Sequence, residues 1–135
     1  MTEFRRVTED FSVSPQIEPA DMAEAAAQGF TLVINNRPDG EVEGQPTSTE
    51  MEAAARAAGL DYVHIPVTGG PTPDQVEAQR LAVEDADGPV LAFCRSGTRS
   101  IVTWSLGQAL SGVRSRSDLA ALGRGAGYDL SGVLG

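Results

Sequence analysis

The sequence predicts an α/β protein in three layers, with a central, mostly parallel sheet of four to five strands flanked by helices. Short apolar runs alternate with alanine-rich segments that open on helix-capping signals, the pattern of successive βαβ units. The most strand-like run, Pro89-Val90-Leu91-Ala92-Phe93, stops at Cys94, and a helical apolar spacing that includes Trp104 follows from Ile101 to Leu110. At 135 residues the chain fits one compact domain over positions 1–135, with a single core and room for one active site.

The remaining elements follow in order. Phe11 to Ile17 alternate weakly and suit an edge strand. Pro19 sits where a helix begins, Met22, Ala25 and Ala26 give it an apolar face, and Gly29 stops it. Thr31-Leu32-Val33-Ile34 is a nearly continuous apolar run, so it is placed as a buried strand at the centre of the sheet. Asn35 to Gly40 then reads as loop. Thr47 followed by Glu50 is a capping box, opening a helix with Met51, Ala54, Ala55 and Ala58 on one face and Gly59 at its end. Tyr62-Val63-His64-Ile65 forms the next strand. After the turn Val67 to Pro71, Thr72 and Gln75 make a second capping box with Pro73 in the first turn, and that helix runs to Ala86. A last short helix is expected from Ser117 to Leu122, with the tail Gly123 to Gly135 extended or irregular.

Charge narrows the class of partner. Ten basic and nineteen acidic residues give a net charge of −9, which argues against sequence-blind binding to nucleic acid or an anionic membrane surface. No run reaches the length of a membrane span and the first residues lack the apolar core of a secretory signal, so a cytoplasmic protein is expected. One cysteine and one histidine leave no internal disulfide and no zinc cluster, and no cofactor is called for.

That cysteine is either core filler or chemistry. In an open α/β sheet, ligands bind beyond the carboxyl ends of the strands, where Cys94 stands. Gly97 admits backbone conformations closed to other residues, so the N–H groups of Arg95, Ser96, Gly97, Thr98 and Ser100 can turn inward as an anion-binding ring. The following helix adds its positive end, and Arg99 a planar guanidinium that bonds two oxygens at once. The same groups favour thiolate over thiol at Cys94. Ser100 is compatible with donating to that sulfur or with capping the helix, and Arg95 with orienting a ligand or with an ordinary solvated charge. Asn35, Arg37 and Asp39 follow a central strand and are candidates for the pocket rim, although asparagine, proline, aspartate and glycine in such a run usually serve the turn. His64 and Trp104 read as structural.

The run Phe93 to Ser100 resembles the active loop of rhodaneses, in which cysteine accepts sulfur as a persulfide and arginine closes a six-residue loop. It also resembles the loop of cysteine-dependent phosphatases, where histidine precedes the cysteine and five residues, not four, separate it from the arginine. Beyond the loop, Gln16-Ile17, Ile34 to Glu41, Ile65-Pro66-Val67 and Gly127-Tyr128-Asp129-Leu130 resemble the phosphatase-like domain of the beta-lactamase-hydrolase-like family over residues 11–132. That resemblance implies a cysteine-phosphatase-like scaffold and a sulfide-detoxification setting.

Phosphatases on this scaffold place a general-acid aspartate after the strand equivalent to Tyr62 to Ile65, whereas Pro66-Val67-Thr68-Gly69-Gly70 offers no carboxylate before Asp74. General-acid help is worth about 10²- to 10⁴-fold in rate, and sulfur transfer needs none because sulfite leaves as a stable anion. The expected activity is therefore a thiosulfate or persulfide sulfurtransferase, with catalytic Cys94 and Arg99, a small-molecule sulfur donor, a thiol acceptor and a persulfide dioxygenase as partner enzyme. The enzyme alternative is a cysteine-dependent phosphatase using Asp74 or water as acid. A non-catalytic anion-binding or redox-sensing module is the third reading.

Overall fold

The computed structural model describes residues 4–134. Five strands form one sheet: β1 (Arg5–Arg6), β2 (Phe11–Ser14), β3 (Leu32–Asn35), β4 (Asp61–His64) and β5 (Val90–Phe93), in the order β1-β2-β5-β3-β4. All neighbours run parallel except β1, which pairs antiparallel with β2. The helices are α1 (Asp21–Ala27), α2 (Ser48–Ala57), α3 (Pro73–Asp85), α4 (Thr98–Ser111), α5 (Arg116–Gly125) and α6 (Ser131–Leu134). The expected α/β class and mostly parallel sheet are present.

Alternating side chains on the pleated strands feed two cores. Val33, Leu91, Phe93 and Tyr62 face Met22 of α1 and Met51 and Ala55 of α2. Ile34, Ala92, Val13 and Phe11 face Ile101 and Trp104 of α4, Leu119 of α5 and Leu134 of α6. Trp104 stacks on Phe11 with ring centroids 5.0 Å apart, a core contact. Both predicted capping boxes form, at Thr47 with Glu50 and at Thr72 with Gln75.

Three expectations need correction. The strand from Phe11 is interior rather than an edge, because Arg5–Arg6 covers its outer side and β5 its inner side, and all four of its residues are buried. The middle strand is β5, with β3 between it and β4. The tail is not irregular: α5 continues to Gly125, and Ala126, Tyr128, Leu130 and Leu134 are buried in the core. Gly123 makes this possible, since a Cβ there would collide with Leu130. Among the described residues, no helix is long and apolar enough to cross a membrane.

A buried amide ties these layers to the end of the sheet. Gln79 of α3 is fully buried, accepts from Asn36 Nδ2 at 2.7 Å and donates to the Ser100 carbonyl at 3.2 Å. Asn36 Nδ2 also donates to the Ile65 carbonyl at 3.0 Å. Gln79 and Asn36 thus together hold the loops after β3 and β4 and the first turn of α4. Replacing Gln79 by leucine keeps the bulk and strands these groups, so a loss of about 1–3 kcal/mol is expected in denaturant unfolding; an unchanged midpoint would show the bridge to be dispensable.

Candidate active site

The chain leaves β5 at Phe93 and must enter α4 at Thr98. Gly97, at φ +90°, makes the turn in the left-handed region that other residues rarely adopt. A side chain there would also strike the Tyr128 hydroxyl. The Gly97 N–H points back to Cys94 and donates to its Sγ at 3.2 Å. Neighbouring strand ends fix the start of the loop: the Cys94 N–H donates to the Ser14 carbonyl at 3.4 Å, and the Arg95 carbonyl accepts from the Gln16 N–H at 3.2 Å. Ser96 and Thr98 bond each other through their hydroxyls at 2.9 Å on the exposed outer side.

Arg99, in the first turn of α4, is held from outside the loop. Its Nη1 and Nη2 grip the two carboxylate oxygens of Glu41 at 2.7 and 2.8 Å, and Nη1 also donates to the Val67 carbonyl at 2.7 Å. A guanidinium has five N–H donors. With three so engaged, Nε–H and one Nη2–H remain on one edge for the Cys94 sulfur and a further anion. The Cys94 sulfur lies against the same guanidinium and, after Glu41, helps to raise the arginine's pKa.

Glu41 is shared with a second arginine. Arg37 is 3% exposed, donates from Nε to Glu41 Oε1 at 2.7 Å and from Nη1 to Gln16 Oε1 at 3.0 Å. Glu41 retains 25% of its side-chain exposure although its backbone is open to solvent. The hydrogen bond from Arg99, reinforced by Arg37 and opposed by desolvation, lowers its pKa from 4.5 to about 2. It is a carboxylate throughout the physiological range and holds no proton to give.

The other predicted site residues have local roles. Asn35 spans from Tyr62 Oη to the Arg37 N–H, and Asp39 accepts from the Ser48 N–H at the start of α2. Asp74 is exposed in the first turn of α3 and forms no hydrogen bond or ion pair with Cys94 or Arg99. His64 Nε2 meets the Arg37 carbonyl at 2.8 Å, a brace for the rim loop. Arg95 is exposed beside Cys94. Ser100 Oγ is buried without a partner, so it makes no bond to the sulfur. The sulfur itself is enclosed rather than reachable: Cys94 is 0% exposed.

Sequence reasoning passed over Glu41 and Tyr128 as site residues. Glu41 lies 58 positions from Arg99, so no local spacing signals their pairing. Its place directly after Arg37-Pro38-Asp39-Gly40, on the loop leaving a strand, was the available clue.

The family model for the phosphatase-like domain of Beta-lactamase hydrolase-like proteins matches residues 3–111. The chain belongs to this family. A Beta-lactamase hydrolase-like protein of Agrobacterium fabrum is 43% identical over 126 residues, covering 93% of this chain and 29% of its own length. This chain therefore spans less than a third of that relative. A candidate phosphatase of Neisseria meningitidis has a crystal structure that superposes with a TM-score of 0.84 at 32% identity, over 96% of this chain and 92% of the other. The structure of Tk-PTP in its active form shares the fold, with a TM-score of 0.74 at 19% identity over 97% of this chain and 90% of that one.

These likenesses overturn the sulfurtransferase expectation. The scaffold and its neighbours are phosphatase-like, on both the family model and the solved structures. The expectation leaned on a shorter loop and a missing acid. The shorter loop still runs from strand end to helix N-terminus with an arginine in the first turn. The missing acid bears on the leaving group and says nothing of which atom the thiolate attacks.

Glu41 also predicts a pH signature. Its folded pKa lies below 4.5, so the pairing stabilises the fold above about pH 4.5 and the contribution is lost as pH falls toward 2. Because Glu41 is open to solvent, screening reduces this to about 0.5–1 kcal/mol. Glu41→Gln is expected to lower unfolding free energy by that amount at neutral pH, with the difference from wild type closing below pH 4.5 as Glu41 protonates. A difference independent of pH would place the effect elsewhere.

Proposed function

We propose that this domain is a cysteine-dependent phosphatase acting on phosphomonoesters, with Cys94 as nucleophile and Arg99 as the phosphate-holding cation. The observation that carries the reading is the Gly97 N–H on Cys94 Sγ at 3.2 Å, beside an arginine whose bonds to Glu41 and the Val67 carbonyl leave one edge on the side of the sulfur. A phosphoryl group presents equatorial oxygens to such an edge, and loop amides with the helix N-terminus stabilise the rest of the charge. The phosphatase-like family and fold supply the scaffold.

The chemistry runs in two displacements. Cys94 thiolate attacks phosphorus, the ester P–O bond breaks, and its electron pair leaves on the departing oxygen, which takes a proton from water. Water then attacks the phosphocysteine, the S–P bond breaks, sulfur recovers its electron pair as thiolate, and phosphate departs with the water's proton released to solvent. Arg99 and the loop amides bear the oxygen charge in both steps.

The leaving group follows from the acids available. Glu41 is ionised and Asp74 makes no bond to Cys94 or Arg99. Expulsion of an alkoxide without an acid forfeits about 10²- to 10⁴-fold in rate. A phenoxide, far less basic, loses less. Aryl phosphates, including tyrosine phosphate, are thus the favoured class.

Hydrolysis of an aryl phosphate is expected to exceed that of a simple alkyl phosphate, to vanish in Cys94→Ser, and to fall by about 10²- to 10³-fold in kcat for Arg99→Lys, the cost of removing one preorganised oxyanion donor. Phosphate release assays on purified protein measure all three. Turnover that survives in Cys94→Ser, or its absence with every ester tried, would remove the proposal.

A further inference from the structure

One peptide unit in the loop is gripped from both sides. The Ser96 carbonyl accepts a hydrogen bond from the Tyr128 hydroxyl at 2.8 Å. The N–H of the next residue, Gly97, donates to Cys94 Sγ at 3.2 Å. These two groups belong to the same planar peptide, which is trans like every described peptide, so its C=O and N–H point in opposite directions. Fixing the carbonyl on one side therefore aims the N–H on the other.

The surroundings make this grip consequential. Gly97 has no side chain and sits at φ +90°, so the preceding peptide is the part of the loop freest to rotate. A rotation through half a turn would replace the inward N–H by an inward carbonyl oxygen, a negative dipole against a negative sulfur. Tyr128 is 9% exposed, its own N–H is anchored to the Gly123 carbonyl at 2.8 Å, and the Arg5 guanidinium lies 5.2 Å over its ring. The hydroxyl is thus delivered by a rigid segment. Hydrogen bonding at the carbonyl also polarises the peptide and strengthens its N–H as a donor.

We infer that Tyr128 is a positioning residue of the active site, acting through the Ser96–Gly97 peptide to hold its N–H on the Cys94 sulfur, where a donor stabilises negative charge. The C-terminal turn is by this account part of the catalytic apparatus, although it lies 34 positions beyond the cysteine and touches no substrate. The inference rests on Cys94 being the nucleophile of the proposed reaction.

The test uses the ultraviolet absorbance of the thiolate, taken as the difference between each protein and its Cys94→Ser counterpart across pH. It needs neither substrate nor access to the enclosed sulfur, and the chain has one cysteine. In Tyr128→Phe, which removes the hydroxyl and keeps the ring, the thiolate-to-thiol ratio at a given pH is expected to fall about two- to tenfold, the worth of one hydrogen bond. Its profile moves toward alkaline pH. Leu130→Ala loosens the same segment but keeps the hydroxyl, and is expected to lower the thermal midpoint while moving the profile clearly less than Tyr128→Phe does. Should Tyr128→Phe not fold, a monofluorinated tyrosine at that position, a stronger donor of nearly equal size, is expected to move the profile toward acid pH. A Tyr128→Phe profile identical to wild type, an equal shift in Leu130→Ala, or no acid shift with the fluorinated residue overturns the inference. Hydrolysis assays on the same preparations keep the two claims apart: a shifted profile in a protein without phosphatase turnover defeats the proposed function alone, and full turnover with an unshifted profile defeats this one alone.

Discussion

A strand that must become a helix within four residues has few backbone paths open to it, and this constraint organises the active end of the molecule. Cys94 follows directly on β5, Gly97 takes the left-handed turn, and α4 begins at Thr98. The turn brings the Gly97 N–H back over the sulfur. Had the chain continued as strand, that donor would have been spent on a neighbouring strand. Because β5 is the middle strand, the loop is surrounded by three further strand ends, and each contributes: Ser14 at the end of β2 and Gln16 beyond it, Arg37 and Glu41 after β3, Val67 after β4. The parallel sheet thus acts as a device for collecting loops around one atom.

The charges collected there obey a strict order. Arg37 is almost wholly buried and would be costly alone, since an unpaired buried cation loses its hydration. Glu41 offsets that cost and is itself spread between two guanidiniums. The pairing decides orientation as much as energy. By occupying the end of Arg99, Glu41 and the Val67 carbonyl leave the arginine only one edge with which to meet a ligand. A lysine would supply the charge without this geometry, because its ammonium is a point and not a fork.

What was legible in the sequence depended on how far each signal reached. The cysteine, glycine and arginine of the loop stand within six positions, so their roles follow from local geometry, and the capping boxes at Thr47 and Thr72 are equally local. Strand order is not local. Phe11–Ser14 looked like an edge because its alternation is weak, yet two residues, Arg5–Arg6, suffice to cover it, and a pair that short carries no periodicity. The tail looked irregular because glycine is rich there. Gly123 is in fact a packing choice that admits Leu130, which composition cannot tell apart from flexibility. The Glu41–Arg99 and Tyr128–Ser96 contacts join segments 58 and 32 positions apart, beyond any motif. The missing aspartate after β4 was real, but it was read as evidence about the electrophile when it concerned the leaving group.

The acidic surface bears on the proposed function, because a chain of net charge −9 would have to accept an anionic substrate against its own repulsion. Screening limits that repulsion. At physiological salt the charges act over about 8 Å, so a phosphate at the mouth responds to the groups nearest it and little to the far faces. The groups placed there include Arg99, exposed Arg95, the N-terminus of α4 and the Gly97 N–H, with the Glu41 carboxylate already held by two arginines. The global charge instead disfavours large polyanions, which cannot fit within one screening length and would meet the acidic shell. A single phosphate, small enough to enter the loop and sense only its interior, escapes that repulsion. The same distribution that disfavours a large polyanion therefore leaves room for the phosphomonoester proposed above.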